Sequence, residues 1–341
     1  MGPDDHGADR PAAPASPTRR RALSIGFGVL AVPVIAAAGY QSIRSASGGS
    51  TISANLTLVA PAAAGGGWDA FQRELQQVMR THSLVGNVQV VNIPGAGGTI
   101  ALGSVARLTQ PNTLMVGGTG QIAAQIQFDT PSQITDVTPI ARVIEEYDLI
   151  AVPADGPHQD LDGLIADWRE DTPDVAWTGG GSFDQLVMTD LALAADIAPG
   201  DTTYIPSDGG GEAIQALLNG TAQATAGGFA DIYPQVESGR LRALGVVAPQ
   251  RLEGVDIPTL PELGYDVTLT NWRALFAPPV VTAEEITEFE ELLEQAFATP
   301  EWADAVARYN WVEVPATGEE LRAYIEEETE RIAGLFAEIE G

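Results

Sequence analysis

The chain has 341 residues, which is enough for two domains, and its apolar content is sufficient for a buried core. Its 46 acidic residues outnumber 17 basic ones, all of them arginine, and this balance argues against nucleic-acid binding, which needs a cationic surface. The absence of cysteine excludes a disulfide framework, a thiol nucleophile and a cysteine-ligated metal.

Residues 1–53 are expected to form an export signal or anchor and a linker rather than part of the fold. Thr18–Leu23 places three consecutive arginines before an apolar run, which is the order of a twin-arginine export signal. Ala36–Ala38 offers a cleavage site, and Pro33 interrupts an apolar run that is already short for a membrane span. We therefore expect a protein exported to the periplasm or cell surface, with an uncleaved N-terminal membrane anchor as the alternative.

The next stretch predicts a strand, a small-residue loop and a helix. Leu56–Ala60 is a short apolar run, Pro61–Gly67 contains three consecutive glycines, and apolar residues recur at helical spacing from Trp68. Glycine lets a backbone approach a ligand closely, and the N–H groups of a helix start favour an anion. Asp69 is expected to cap this helix. The alternative is a tight turn that only packs the helix on the sheet.

This unit of strand, glycine-rich loop and helix recurs along the chain. The later glycine-rich loops are residues 92–98, 117–120, 179–182, 207–211 and 227–231. Alternating strands and helices predict parallel sheets covered on both faces, and ligands of such sheets bind beyond the carboxyl ends of the strands. The sequence thus predicts an α/β fold with a cleft that is lined by backbone amides.

The remaining elements are expected to be structural. Glu146–Val152 is interpreted as one long apolar strand, and Leu161–Glu170 as a short helix. Thr282 with Glu285 forms a capping box for a helix through Phe297. Two further acidic helices are expected after Thr299 and after Thr317.

Several catalytic classes find no support in the residues. A phosphate-binding loop of the GxxxxGK[ST] type cannot exist without lysine, and Gly118–Ala123 fits a dinucleotide fingerprint only loosely. His82 and His158 stand alone, so neither a serine–histidine–acid arrangement nor a histidine metal site is indicated. We expect no enzymatic activity, cofactor or metal; a glycosidase that uses only carboxylates is the remaining enzymatic alternative.

A set of motifs in chain order resembles the solute-binding proteins of tripartite tricarboxylate transporters, the TctC or Bug family. The resemblance spans residues 56–340 and is carried by PAAAGGGWD (61–69), VQVVNIPGAGG (88–98), PNTLM (111–115), TPIAR (138–142), ALGV (243–246), IPTLPELG (257–264), NWR (271–273) and APP (277–279).

The resemblance implies a two-lobed, type II periplasmic-binding-protein fold with parallel-rich sheets and a ligand cleft between the lobes. The first lobe would comprise residues 54–151 plus 247–341, and the second residues 152–246. The function implied is capture of a small-molecule carboxylate, a di- or tricarboxylate in the first instance, by a monomer that delivers it to two membrane subunits of a transporter. A sensory protein that presents its ligand to a membrane receptor is the alternative, and an enzyme on the same scaffold is a further one.

The resemblance also implies a set of ligand-binding residues on both sides of the cleft. On the first lobe these are Ala63, Ala64, Gly65, Gly66, Asp69, Thr119, Gly120 and Gln121. Across the cleft they are Gly180, Gly181, Ser182, Asp184, Ser207, Asp208, Gly209, Phe229 and Asp231. The run Phe183–Gln185 departs from many relatives, so the distal part of the pocket is expected to differ.

Three side chains have two interpretations each. Arg273 could supply a direct charge to the ligand or form a structural ion pair. Asp184 and Asp231 could contact the ligand or cap helices. Carboxylate binding is compatible with so acidic a chain, because exposed charges beyond about 8 Å are screened at physiological salt and each hydrogen bond to a charged group contributes about 1.5–3 kcal/mol.

Overall fold

The computed structural model describes residues 51–207 and 209–340, which form two β-sheets flanked by helices. The strands are β1 (Asn55–Ala60), β2 (Asn87–Asn92), β3 (Thr113–Gly118), β4 (Thr138–Glu146), β5 (Asp148–Pro153), β6 (Trp177–Gly179), β7 (Tyr204–Pro206), β8 (Ala224–Gly228), β9 (Leu241–Val246), β10 (Asn271–Ala277) and β11 (Val312–Thr317). The α-helices are α1 (Gly67–Thr81), α2 (Thr99–Val105), α3 (Thr119–Gln127), α4 (Leu161–Glu170), α5 (Ser182–Ala194), α6 (Gly210–Leu218), α7 (Phe229–Glu237), α8 (Ala283–Phe297), α9 (Pro300–Tyr309) and α10 (Gly318–Glu340). The predicted export signal lies outside the described residues.

The first sheet has six strands in the order β11-β4-β10-β3-β1-β2. Strand β1 runs parallel to β2 and β3, whereas β10 runs antiparallel to β3 and β4. Leu58 and Val59, on opposite faces of β1, are both fully buried because helices cover the sheet on both sides. This explains why β1 is an apolar run without alternation.

The second sheet has five strands in the order β7-β6-β8-β5-β9. Strand β6 is parallel to β7 and β8, and β5 is antiparallel to β8 and β9. Both sheets are therefore parallel-rich, with antiparallel strands where the chain passes from one sheet to the other. This architecture places the glycine-rich loops after β1, β6, β7 and β8 at facing edges.

The strand predicted over Glu146–Val152 corresponds to β5, but its predicted start was two residues too early and took in the end of β4. Strand β4 ends at Glu146, β5 begins at Asp148, and the two belong to different sheets. The sequence pattern does not show where one strand ends and the next begins, because Ile144 of β4 and residues 149–152 of β5 are all buried. The second sheet thus begins at Asp148, and the predicted lobe boundaries at residues 151 and 246 remain a prediction.

Aromatic side chains fill the core of each sheet's helical cover. Phe71 of α1 packs edge-on against Trp302 of α9, with ring centroids 5.6 Å apart. Trp168 and Trp177 lie 4.6 Å apart beside the second sheet. Within residues 51–207 and 209–340, none of the helices combines the length and apolar character that a membrane span requires.

Candidate functional site

A cavity of about 590 Å³ lies between the loops of the two sheets. Backbone forms much of its surface, through Ala62–Gly67 on one side and Gly180, Gly181, Gly209, Gly210 and Gly228 on the other. Its polar and aromatic side chains are Trp68, Glu146, Tyr147, Asp148, Ser182, Phe183, Asp184, Phe229, Asp231, Asn271, Arg273, Tyr309, Asn310 and Trp311. The cavity is large enough for a small organic ligand.

Four helices begin at this cavity with glycine as the N-cap residue. Gly66, Gly181, Gly209 and Gly228 precede α1, α5, α6 and α7, and in the described part of the chain none of these four helices has a side-chain hydrogen bond at its N-cap. The first N–H groups of an α-helix have no partner inside the helix. These four helix starts therefore offer the cavity backbone donors and the positive ends of helix dipoles, which suit an anion.

Three helices that begin away from the cavity, α4, α8 and α9, are capped by side chains. Asp160 accepts a hydrogen bond from the Gly163 N–H at the start of α4. Thr282 and Thr299 do the same for α8 and α9, and Thr282 forms the predicted capping box with Glu285. Glycine also precedes α2 and α3, at Gly98 and Gly118, and neither helix has a side-chain cap. The cavity is therefore distinguished by the four uncapped helix starts that it brings together, and not by the absence of a cap at any one of them.

Three of the cavity helices carry an aspartate as their third residue: Asp69, Asp184 and Asp231. The Gly65 N–H donates to Asp69 at 2.8 Å, and the Gly180 N–H donates to Asp184 at 2.6 Å. Asp69 is therefore not the N-cap residue that the sequence suggested, since Gly66 occupies that position. These two carboxylates instead hold the glycine loop that precedes the helix.

We call the α1 start, with Asp69, Arg73, Glu146 and Arg273, the first wall of the cavity. Asp69 accepts hydrogen bonds from Arg73 Nε and from Asn92 Nδ2, both at 2.8 Å. Burial opposes ionisation of Asp69, but the hydrogen bonds from Arg73, Gly65 and Asn92 outweigh it and lower its pKa. Asp69 is therefore held as a carboxylate, and the neighbouring Arg73 balances its negative charge.

The second arginine of the first wall is also paired. Arg273 forms an ion pair with Glu146, and its Nη1 donates to the Gly67 carbonyl oxygen at 2.9 Å. Glu146 accepts a further hydrogen bond from Trp311 Nε1 at 2.6 Å. Burial of the guanidinium lowers the pKa of Arg273. The structural ion pair is thus present, and Arg273 also lies in the cavity lining.

We call the starts of α5, α6 and α7, with Asp148, Asp184 and Asp231, the second wall. Asp148 is only 1% exposed, and its Oδ2 has no hydrogen-bond partner within the described ranges. Burial, together with the charges of Asp184, Glu146 and Asp231, raises the pKa of Asp148 well above its ordinary value. The ion pairs found among the described residues include none with Asp148, Asp184 or Asp231.

The other two acids of the second wall show the same tendency. Burial, reinforced by the charge of Asp231, raises the pKa of Asp184 to about 7, against the opposing effect of the Gly180 N–H. Asp231 reaches the open cavity, and partial burial raises its pKa as well. The second wall therefore collects carboxylates without a cation to balance them.

The structure brings most of the predicted site residues to the cavity. Those in the lining are Ala63, Ala64, Gly65, Gly66, Gly120, Gly180, Gly181, Ser182, Asp184, Gly209, Phe229, Asp231 and Arg273. The Ser182 hydroxyl donates to Gln127 Oε1 of α3 at 2.5 Å, which links helices of the two sheets. That these residues contact a ligand remains a prediction.

Four predicted residues lie behind the lining instead. Asp69 is buried as described above, and the Thr119 hydroxyl donates to the Thr270 carbonyl at 2.8 Å. Gln121 donates to the Gly98 carbonyl at 3.1 Å, and the Ser207 hydroxyl pairs with that of Thr178 at 3.0 Å. These side chains support the loops. Asp208 lies outside the described residues.

Several lining residues were missed by sequence reasoning. They are Glu146, Tyr147, Asp148, Asn271, Tyr309, Asn310 and Trp311. The signal for the first three was the acidic run EEYD inside an otherwise apolar stretch. Trp272, in contrast, is fully buried in the core, and Trp68 lines the cavity beside Gly120.

The described residues contain neither an arrangement of metal ligands nor a histidine in the cavity lining. Within the described ranges, no group of three or more histidine and acidic side chains is arranged to hold a metal ion. His82 pairs with Glu301 at 2.8 Å and His158 with Asp167 at 3.0 Å, and neither histidine is in the cavity lining.

Comparison with known proteins gives relatives along most of the chain. BugT from Bordetella pertussis is 26% identical over 292 residues, covering 83% of this chain and 88% of BugT. A TctC solute-binding protein from Polaromonas, solved without ligand, is 25% identical with a TM-score of 0.67, covering 83% of this chain and 97% of that one. MatC from Rhodopseudomonas palustris, solved with bound malate, is 23% identical with a TM-score of 0.70, covering 82% and 98%.

These likenesses confirm the predicted two-lobed α/β fold of the periplasmic binding proteins. The sequence profile of the tripartite tricarboxylate transporter family receptors (TctC) matches residues 71–340, which is more than half of the chain. The chain therefore belongs to the TctC family of periplasmic solute-binding proteins.

Proposed function

We propose that this protein captures a small carboxylic acid in the cavity between its two sheets and delivers it to the membrane subunits of a tripartite transporter. The observation that carries this proposal is the set of four glycine-capped helix starts that face one cavity. The malate in MatC, a protein of the same fold, supports a carboxylate as the ligand class.

Backbone donors of the first wall are the proposed anchor for the ligand carboxylate. The loop Ala63–Gly67 precedes α1, whose acid Asp69 is already neutralised by Arg73. Each hydrogen bond to a carboxylate contributes about 1.5–3 kcal/mol, and a helix N-terminus adds about 0.3–1 kcal/mol. A few such contacts suffice for micromolar affinity, which corresponds to about 8 kcal/mol.

The remaining parts of the proposal concern delivery and chemistry. Export by the signal in residues 18–38 would bring the protein to the compartment where such receptors work. Hinge closure of residues 54–151 with 247–341 against residues 152–246 would enclose the ligand. The ligand is bound and released unchanged, so an acid that is recovered after incubation with the protein should have the same NMR spectrum as before.

The test is a thermal-shift and calorimetric screen of the full chain against mono-, di- and tricarboxylic acids at low and high salt. A ligand at a hundredfold excess over its dissociation constant should stabilise the protein by about 2.7 kcal/mol. Gly181→Leu should abolish the shift, since a Cβ at Gly181 meets nothing within 4 Å and the added side chain would occupy the cavity.

Gly334→Leu is the matched control, because a Cβ at Gly334 in α10 also meets open space but lies outside the cavity lining. It should bind like the wild type. Stabilisation that survives in Gly181→Leu, or the lack of any stabilising acid at either salt concentration, would contradict the proposal.

A further inference from the structure

The second wall contains a buried acceptor for which the described residues supply no donor. Asp148 lines the cavity and is 1% exposed, and its Oδ2 has no hydrogen-bond partner among the residues that the structure describes. A buried carboxylate oxygen without a donor is costly, and native proteins rarely leave one unless a ligand or water supplies the donor.

The backbone register shows where this carboxylate stands. Asp148 pairs with Gly228 across β5 and β8, and Gly228 is the N-cap residue of α7. Gly228 has no side chain to cover the neighbouring Asp148. Asp231 of the same helix lies over the start of α6, where a Cβ at Gly210 would collide with its carboxylate. The three acids therefore face the cavity from β5, α5 and α7.

The side chains that line the cavity carry an excess of acidic groups. Its described lining contains four acidic side chains, Glu146, Asp148, Asp184 and Asp231, against one basic side chain, Arg273. Arg273 is already paired with Glu146. A ligand with only carboxylates would bring more negative charge to a wall that has no cation, which like-charge repulsion disfavours.

We infer that the ligand carries a protonated amine as well as a carboxylate, and that Asp148, Asp184 and Asp231 receive the ammonium group. This inference rests on the proposed function, since the first wall is assigned to the ligand carboxylate. An ammonium group has three donors and one positive charge, which matches a wall of acceptors that includes one unpartnered oxygen. The substrate class is therefore amino acids, in particular those with a second carboxylate.

The experiment compares acids that differ only at the position of the amine. Calorimetric titrations of the full chain use malate against aspartate, glutarate against glutamate, and adipate against 2-aminoadipate, all in EDTA so that no metal can fill the acidic wall. We expect the amino acid of at least one pair to bind roughly tenfold to a hundredfold more tightly, because charge-assisted hydrogen bonds are among the strongest polar contacts.

Two variants test whether the second wall is the source of this preference. Asp148→Asn and Asp184→Asn should each reduce the preference for the amine at least severalfold while the affinity for the matched acid is retained or increased. Asp190→Asn is the control, since Asp190 lies on the same helix as Asp184 but faces Arg331 at 3.5 Å and is outside the cavity lining. It should leave the preference unchanged.

The possible outcomes separate the inference from the proposed function. If the unsubstituted acid of every pair binds at least as tightly as its amino partner, the inference is wrong and the proposed function stands. A preference for the amine that persists in both Asn variants likewise overturns the inference. If neither acids nor amino acids bind, the proposed function fails with it.

Discussion

The two walls of the cavity use the same local structure with opposite charge balance. In each wall a helix begins at a glycine N-cap, and an aspartate at its third residue accepts from the N–H that precedes the cap. In the first wall Arg73 neutralises Asp69, and Arg273 neutralises Glu146. In the second wall Asp184, Asp231 and Asp148 have no such partner among the described residues.

This difference shows that the same kind of helix start can lie beside acidic side chains that are paired with arginine or beside acidic side chains that are not. The backbone donors of both walls suit an anion, but only the first wall combines them with compensated acids. The second wall keeps carboxylates that are costly to ionise, as the raised pKa values of Asp148 and Asp184 indicate.

Removing the buried arginine should turn the first wall into an uncompensated one. Arg273→Met leaves Glu146 unpaired at a position where both side chains are largely buried, and we expect a loss of about 3–5 kcal/mol of unfolding free energy. Urea denaturation measures it. The double variant Arg273→Met/Glu146→Gln should recover much of the loss, and equal instability of the single and double variants would show that the pair is not the cause.

A methyl group at Gly180 should disrupt the packing of the second wall. A Cβ there would lie 2.6 Å from the backbone of Gly209 and Gly210, so the starts of α5 and α6 would have to separate. We expect a loss of roughly 2–3 kcal/mol for Gly180→Ala, as for other overpacked sites. Gly181→Ala, whose Cβ meets nothing within 4 Å, is the control, and chemical denaturation should show it to be clearly the milder change.

Neutralising Asp184 should stabilise the empty protein at neutral and alkaline pH. Since the pKa of Asp184 is raised to about 7, the folded protein holds more protons than the unfolded chain between pH 4 and 7, and stability falls as the pH rises through this range. Asp184→Asn should remove this slope and gain roughly 1–3 kcal/mol at pH 8, less than the full shift implies because the side chain is only partly buried.

The pH profile of Asp184→Asn is read against the groups that face it. These are Asp148 of β5, Asp231 of α7 and Tyr204 of β7, whose pKa is raised by burial and by Asp184 and Asp148. Melting temperatures of wild type and variant from pH 4 to 9 give the result. Parallel profiles would mean that Asp184 is not the group that titrates.

Loss of Arg73 should have the smallest effect on stability. Arg73 is 51% exposed, so Arg73→Gln is expected to cost about 1 kcal/mol or less in unfolding free energy. It should nevertheless weaken carboxylate binding several-fold, because Asp69 would then add an unbalanced charge beside the first wall. Arg322→Gln, which removes a similarly exposed arginine paired with Glu319 outside the cavity, should change neither quantity measurably in calorimetry and denaturation.

Sequence reasoning predicted the features that are set locally. The glycine loops, the helix starts and the capping box at Thr282 follow from neighbouring residues, and the α/β fold follows from their order along the chain. Thr119 and Gln121 were placed in the site by the family resemblance, but their side chains turn into the core. Which face of a helix start meets the cavity depends on packing, which local patterns do not specify.

The cluster of acids in the second wall could not be predicted from neighbouring residues for a related reason. Asp148 lies in a stretch that was interpreted as one strand, and the acidic run EEYD there does not by itself indicate that the chain passes from one sheet to the other at Tyr147. Its meeting with Asp184 and Asp231 depends on the pairing of Asp148 with Gly228, which is a contact between distant parts of the chain. The sequence shows each of these aspartates, but it does not show that they meet in one wall.

The most direct measurement is an NMR titration of the ¹⁵N-labelled protein that follows its glycine amides as aspartate and malate are added. We predict the largest shifts at the first-wall amides Gly65–Gly67 for both ligands, with further shifts at Gly181 and Gly228 that are larger for aspartate. Shifts confined to another region, such as the groove between Ile134–Pro139 and α10, would contradict the proposal that the glycine-capped helix starts bind the ligand.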